Sequence, residues 1–213
     1  MALVLTIAQQ KGGAGKTMLA ANLAAALAPV CRVALLDIDP QKSLARWVAL
    51  RGARADAAPI GFSEIAGWRL SGELSRLRDT TDVVLIDSPP QIDTDARQAV
   101  RGADLVLIPI QPALPDLWAA EGTLTLAATE KRPVMLLMNR APAAGRLRAR
   151  IEAEIGARRL PLLGAALGNR AGFATAFARG QGITEAAPRS TGAEELRAVL
   201  SALRQVVDIP EIP

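Results

Sequence analysis

Residues 3–28 run from an apolar stretch, LVLTIA (3–8), through the glycine-rich QQKGGAGKT (9–17) into KTMLAANLAAALA (16–28), which is rich in good helix formers. A buried strand, a tight glycine loop and a helix in direct succession constrain the fold more than any other stretch. They form the first half of a crossover unit that returns to a parallel neighbour. The pattern continues in RVALLDI (32–38), DVVLID (82–87), DLVLIPI (104–110) and PVMLLMN (133–139), with a short sixth candidate in PLLGAAL (161–167). Uninterrupted apolar runs of this length suit strands buried on both faces. Amphipathic stretches separate them at about 41–51, 68–78, 92–101, 115–130, 145–156, 170–179 and 192–207. The expectation is an α/β fold: a doubly wound, mainly parallel sheet flanked by helices, built as one domain over residues 1–213. RGARADAAP (51–59) reads as a surface connection, and no internal repeat interrupts the chain.

What the chain lacks narrows its chemistry. It has no histidine, which removes Ser-His-Asp catalysis and histidine zinc sites, and no tyrosine. Aromatics make up 3% of residues, too few for a base-stacking platform on single-stranded nucleic acid. Cys31 is the only cysteine, so no internal disulfide can form and a cytoplasmic location is expected. The N-terminus reads as a first strand rather than a signal peptide, and no apolar run reaches the roughly 18–20 residues of a membrane span. The net charge of +4 permits a polyanionic partner without requiring one.

Lysine use is selective. Only four of 25 basic residues are lysines, and two of them, Lys11 and Lys16, fall inside the glycine loop. A compact ammonium suits a crowded phosphate site better than a broad guanidinium fork. Gly12, Gly13 and Gly15, with Ala14 among them, let backbone N–H groups approach phosphate oxygens at a helix N-terminus. Lys16 would reach the β- and γ-phosphates, and the Thr17 hydroxyl would bind Mg²⁺. Gln10 stands where the usual phosphate loop has a glycine, and Lys11 is supernumerary. Asp37 and Asp39 end the second strand on one face, and Asp87 ends the third. These ends flank the ligand crevice of an open α/β sheet, although each aspartate could equally cap the helix that follows. Asn139, at the end of LLMN, is placed to bond a purine edge. The lysine–aspartate pattern of GTPases is absent, with Arg140 and Pro142 in its place, which favours ATP.

KGGAGKT, DIDPQ and DSPP, in this order and spacing, resemble the deviant Walker A ATPases of the ParA/MinD type. The similarity is greatest to short ParA proteins without an N-terminal helix-turn-helix domain, and it extends through IPIQPALPDLWAAEG (108–122) and NRAGFATAFARGQGITE (169–185). The resemblance implies that Lys11 crosses to the phosphates of a partner subunit in an ATP-sandwiched homodimer. It also implies that Asp39 orients the attacking water and that Asp37 and Asp87 hold Mg²⁺ largely through bound waters. Met18 stands where many relatives have Thr or Ser, at a position that meets the α-phosphate through its backbone.

ParA-type dimers bind DNA without sequence preference, so the resemblance implies nucleoid association, a stimulating adaptor protein and a plasmid, chromosomal or protein-complex cargo. The arginine-rich segment 140–170 supplies the DNA candidates Arg146, Arg150, Arg158, Arg159 and Arg170. On the helix around 145–156, Leu147, Ile151 and Ile155 are expected to face the core, with Arg148 paired to Glu152. The last helix carries a core-facing stripe of Leu196, Val199, Leu200, Leu203 and Val207. Its mixed polar face and the tail DIPEIP (208–213) argue against a stable membrane anchor of the MinD kind. A metabolic P-loop enzyme is the other alternative; it would need a small-molecule acid/base constellation, which the sequence does not offer.

Overall fold

The structure is a computed structural model that describes residues 1–91 and 93–211. Its centre is a seven-stranded sheet: β1 (Leu3–Ile7), β2 (Val33–Asp37), β3 (Gly61–Glu64), β4 (Val83–Asp87), β5 (Leu105–Ile110), β6 (Val134–Ala141) and β7 (Leu162–Gly168). The spatial order is β3-β2-β4-β1-β5-β6-β7, and every recorded pairing is parallel. Nine α-helices are described: α1 (Lys16–Leu27), α2 (Ser43–Gly52), α3 (Leu70–Arg78), α4 (Thr94–Gly102), α5 (Leu114–Thr129), α6 (Arg146–Ala157), α7 (Ala171–Phe177), α8 (Ile183–Ala186) and α9 (Thr191–Arg204).

The apolar runs are buried on both faces. Leu5, Ile7, Leu35 and Leu85 meet Leu23 of α1 and Leu200 of α9 on one side. Val4, Leu36 and Ile86 meet Leu74 of α3 and Ala99 of α4 on the other. Val106 and Ile108 continue that second face towards Leu117 of α5 and Ile151 of α6. Successive residues of each strand thus serve opposite layers, so a polar residue inside a run would reach the core. Thr6 of β1 is such a residue, and its hydroxyl donates to the Ala99 carbonyl at 2.8 Å.

Three elements depart from the sequence reading. The edge strand β3 follows the expected surface connection. Gly-Phe-Ser-Glu is short and only partly buried, so it carries no apolar run to announce it. Leu147 does not join the buried stripe of α6 but is 55% exposed, whereas Ile151 and Ile155 are buried. It occupies the first turn, before the helix settles onto the sheet. The four-residue α8 was not expected either. Its position is fixed by Asn22, which accepts the Ile183 N–H at 2.8 Å. Of the expected segments, Ile92 in 92–101 and Ile212 and Pro213 in the tail lie outside the described residues.

Candidate nucleotide site

β1 lies beside β4 on one side and β5 on the other, where the chain changes from building one half of the sheet to building the other. Crevices form at such switch points beyond the carboxyl ends of the strands. Residues 8–15 fill this place and lead into α1. Gly15 has φ 94°, and a Cβ there would sit 2.6 Å from the Asn139 side-chain nitrogen, so both conformation and space demand glycine.

The two loop lysines diverge. Lys16 is buried, and its Nζ donates to the Gln9 carbonyl at 3.1 Å. Burial lowers its pKa, while Asp87 and Asp39 act to restore it. Lys11 lies outside the cavity at the loop, which Gly13, Lys16, Thr17 and Asp39 bound. Its ammonium instead meets Asp116 in the first turn of α5 at 2.5 Å, with the lysine side chain 40% exposed and the aspartate 1%. Asp116 was not singled out from sequence. An acidic residue held between leucines in QPALPDLW was the available signal.

The three strand-end aspartates separate by environment. Asp37 accepts the Asp39 N–H on one oxygen and the Ala45 N–H on the other, each at 3.0 Å, so it orders the segment after β2 and caps α2. Burial raises its pKa against the pull of these bonds. Asp39 accepts the Gln41 N–H and stands at the rim of the loop cavity. Asp87 is fully buried, and among the described residues neither carboxylate oxygen accepts a well-formed hydrogen bond, with the Thr17 hydroxyl its nearby polar neighbour. Burial pushes its pKa up to about 7, opposed by the neighbouring Thr17 hydroxyl and Lys16 ammonium. Two orphaned hard oxygens beside a threonine hydroxyl form a donor set that fits Mg²⁺, which keeps several waters and takes few protein ligands. No cluster of three or more acidic or cysteine ligands occurs among the described residues.

Two cavities meet over this loop. One, of about 260 Å³, is the loop cavity itself. The other, of about 330 Å³, lies between α1, the end of β6 and α7, walled by Met18, Leu19, Asn139 and Phe173. Asn139 is buried there but uses its amide within the protein: it donates to the Ala14 carbonyl at 2.8 Å and accepts the Arg140 N–H at 3.0 Å. It therefore ties β6 to the glycine loop. Of the arginine candidates, Arg146, Arg150 and Arg159 are exposed without an ion pair among the described residues. Arg158 is paired with Glu154 and Glu121, and Arg170 with Glu195. Arg170 also lines the larger cavity.

A doubly wound parallel sheet with a glycine loop and helix N-terminus at its switch point defines a phosphate-binding α/β protein. Residues 5–183 match the family model described as the CobQ/CobB/MinD/ParA nucleotide binding domain, and the chain belongs to that family. A Halothiobacillus neapolitanus protein named maintenance of carboxysome distribution protein A is 29% identical over 208 residues, 94% of this chain and 95% of that one. The Caulobacter vibrioides chromosome partitioning protein ParA is 35% identical over 170 residues, 61% of this chain and 62% of its own length. Among solved structures, the septum site-determining protein MinD of Pyrococcus horikoshii, complexed with Mg-ADP, superposes with a TM-score of 0.79 at 18% identity, covering 97% of each chain. No helix among the described residues is long and apolar enough to cross a membrane.

Proposed function

We propose that this protein is an ATP-driven switch: an ATPase that pairs with a second copy when ATP is bound, holds DNA non-specifically in that state, and positions a large cargo. The observation that carries the reading is the divergence of Lys11 from Lys16. Lys16 serves the cavity of its own loop, whereas Lys11 points away from it and remains 40% exposed on its side chain. A cation displayed beside its own nucleotide site but not lining it suits a triphosphate presented by another subunit. Two nucleotides buried face to face bring together negative charge that needs such counter-ions.

In this reading the N–H groups of Gly12–Thr17 and the Lys16 ammonium hold the β- and γ-phosphates. Met18 contributes its backbone near the α-phosphate. The Thr17 hydroxyl and Asp87 would hold Mg²⁺, with Asp37 fixing the neighbouring segment and reaching the ion through water. When bound, the ion neutralises charge on the phosphates and leaves the chain to provide placement. Asp39, at the cavity rim, orients the attacking water, and Lys11 of the opposite subunit stabilises charge on the transferring group. Asn139 supports the purine by holding the loop in place as well as by lining its cavity.

The relative that spans nearly the whole chain is named for carboxysome distribution, and the Caulobacter relative for chromosome partitioning. A protein assembly or a DNA locus carried on the nucleoid is thus the cargo class, with an adaptor protein that stimulates turnover. Arg146 and Arg150, one turn apart on α6 and without acidic partners among the described residues, are the leading DNA contacts. The test is retention of unrelated DNA fragments by purified protein with a non-hydrolysable ATP analogue or with ADP. Salt-sensitive retention with the analogue alone is expected; equal retention with both, or none, rejects the DNA-binding switch.

A further inference from the structure

Among the described residues, Arg140 is the one charged residue that lines both cavities of the nucleotide site, a place it shares with Gly15 and Met18. Its backbone is unusual. φ is 51°, in the left-handed region that side chains other than glycine adopt at a penalty. The pairing of β6 with β7 slips at the same point. Met138 opposes Ala166 and Ala141 opposes Gly168, so three steps along β6 answer two along β7. The extra residue is a bulge comprising Asn139 and Arg140, and bulges re-aim side chains at strand ends beside sites. Glycine would meet this conformation freely, yet an arginine stands here. Its guanidinium is exposed and has neither an ion pair nor a hydrogen bond among the described residues.

We infer that Arg140 is a nucleotide-binding residue whose guanidinium takes the α-phosphate where the nucleoside cavity passes into the phosphate cavity. The inference rests on the nucleotide-site reading above and adds a contact to it. A nucleoside in the larger cavity and a polyphosphate on the glycine loop must connect at the seam between them. The group lying there is the α-phosphate with its ribose ester. A planar guanidinium offers it two parallel N–H donors. Lys16 is confined to the loop cavity and Arg170 is already paired with Glu195, so among the described residues Arg140 is the unpaired cation at this junction. The α-phosphate is common to ATP and ADP, so the contact strengthens binding of both and does not discriminate between them.

The test compares wild type, Arg140→Gly and Arg140→Lys by titration with fluorescent N-methylanthraniloyl ATP and ADP, alongside thermal unfolding without nucleotide. Arg140→Gly is expected to weaken both nucleotides by a similar factor, tenfold or more, as expected for loss of a charge-assisted bond. Its unfolding temperature should hold or rise, because glycine relieves the left-handed backbone. Arg140→Lys should recover part of the affinity through its charge. Unchanged affinity in Arg140→Gly overturns the inference. So does a loss confined to ATP, or a loss that tracks a fall in unfolding temperature. Failure of the wild type to bind either nucleotide would instead reject the nucleotide site as a whole.

Discussion

Lys11 and Asp116 form an ion pair at 2.5 Å in which the acid is buried and the base is half in water. The asymmetry matters. Removing the lysine strands a carboxylate that has lost its counter-ion inside the protein, whereas removing the acid leaves a lysine that water can solvate. Lys11→Ala is therefore expected to destabilise the fold by up to about 3 kcal/mol, and Asp116→Asn by clearly less. Adding Asp116→Asn to Lys11→Ala should restore most of that stability without restoring ATP-dependent pairing. Denaturant unfolding together with sedimentation of the double variant separates the two roles. Recovery of both would mean that Lys11 acts only within its own chain.

Asp39 lines the phosphate cavity, and its side chain accepts the Gln41 N–H of its own turn rather than a bond from the glycine loop. Asp39→Ala should slow phosphate release at least tenfold while leaving ATP binding within a few-fold of wild type, so dimers persist in ATP. Single-turnover hydrolysis and gel filtration in ATP check this. Hydrolysis at the wild-type rate would remove Asp39 from the mechanism.

Asp87 gives the nucleotide-free protein a particular pH dependence. Its folded pKa is raised to about 7 from an ordinary 3.8, so across that window the folded chain keeps a proton that the unfolded chain has released. The stability from this group is complete below the ordinary value and is lost as pH rises through about 7. Wild type should therefore lose stability relative to Asp87→Asn between about pH 4 and 7, and no further above that, in the absence of Mg²⁺ and nucleotide. Parallel unfolding curves for the two proteins would contradict the assignment.

Arg51 of α2 is buried and bonds Glu185 of α8 through both terminal nitrogens, at 2.9 and 2.8 Å. Trp47, one turn earlier on α2, stacks on Phe177 of α7. The segment after Asp39 is thereby clamped to the wall of the nucleotide site. Glu185→Gln should cost about 3 kcal/mol, and in a chain of this size each kcal/mol lowers the melting temperature by about 2–4 °C. Calorimetry reads this directly, and a shift under 2 °C would show the clamp to be weak.

Charge reversal separates the arginine candidates. Arg146→Glu with Arg150→Glu should weaken DNA retention in ATP analogue at least tenfold and flatten its salt dependence, since each lost phosphate contact removes counter-ion release. Arg158→Ala should leave retention near wild type, because that guanidinium is held by Glu154 and Glu121. The reverse ranking would move the DNA surface off α6.

The sheet was legible because its buried strands are written as unbroken apolar runs, and the glycine loop because Gly15 admits no side chain. β3 was not, since an edge strand of four half-exposed residues has no pattern to distinguish it from a loop. Asp37 and Asp87 look alike in sequence, each closing an apolar strand. Only the structure reveals that one is engaged by the N–H groups of Asp39 and Ala45 and the other by none among the described residues. Asp116 and Arg140 were missed for a related reason. Their significance lies in what they meet across the fold, a loop lysine about a hundred positions away and a seam between cavities, and neither relation has a local sequence signature.

If Lys11 reads the nucleotide of a second subunit, the mass of the protein in solution follows the nucleotide it holds. Light scattering after gel filtration of wild type and Lys11→Ala, each with ADP and with a non-hydrolysable ATP analogue, should give a dimer for one sample alone, wild type with the analogue. A dimer of the lysine variant, or one mass for wild type in both nucleotides, would contradict it.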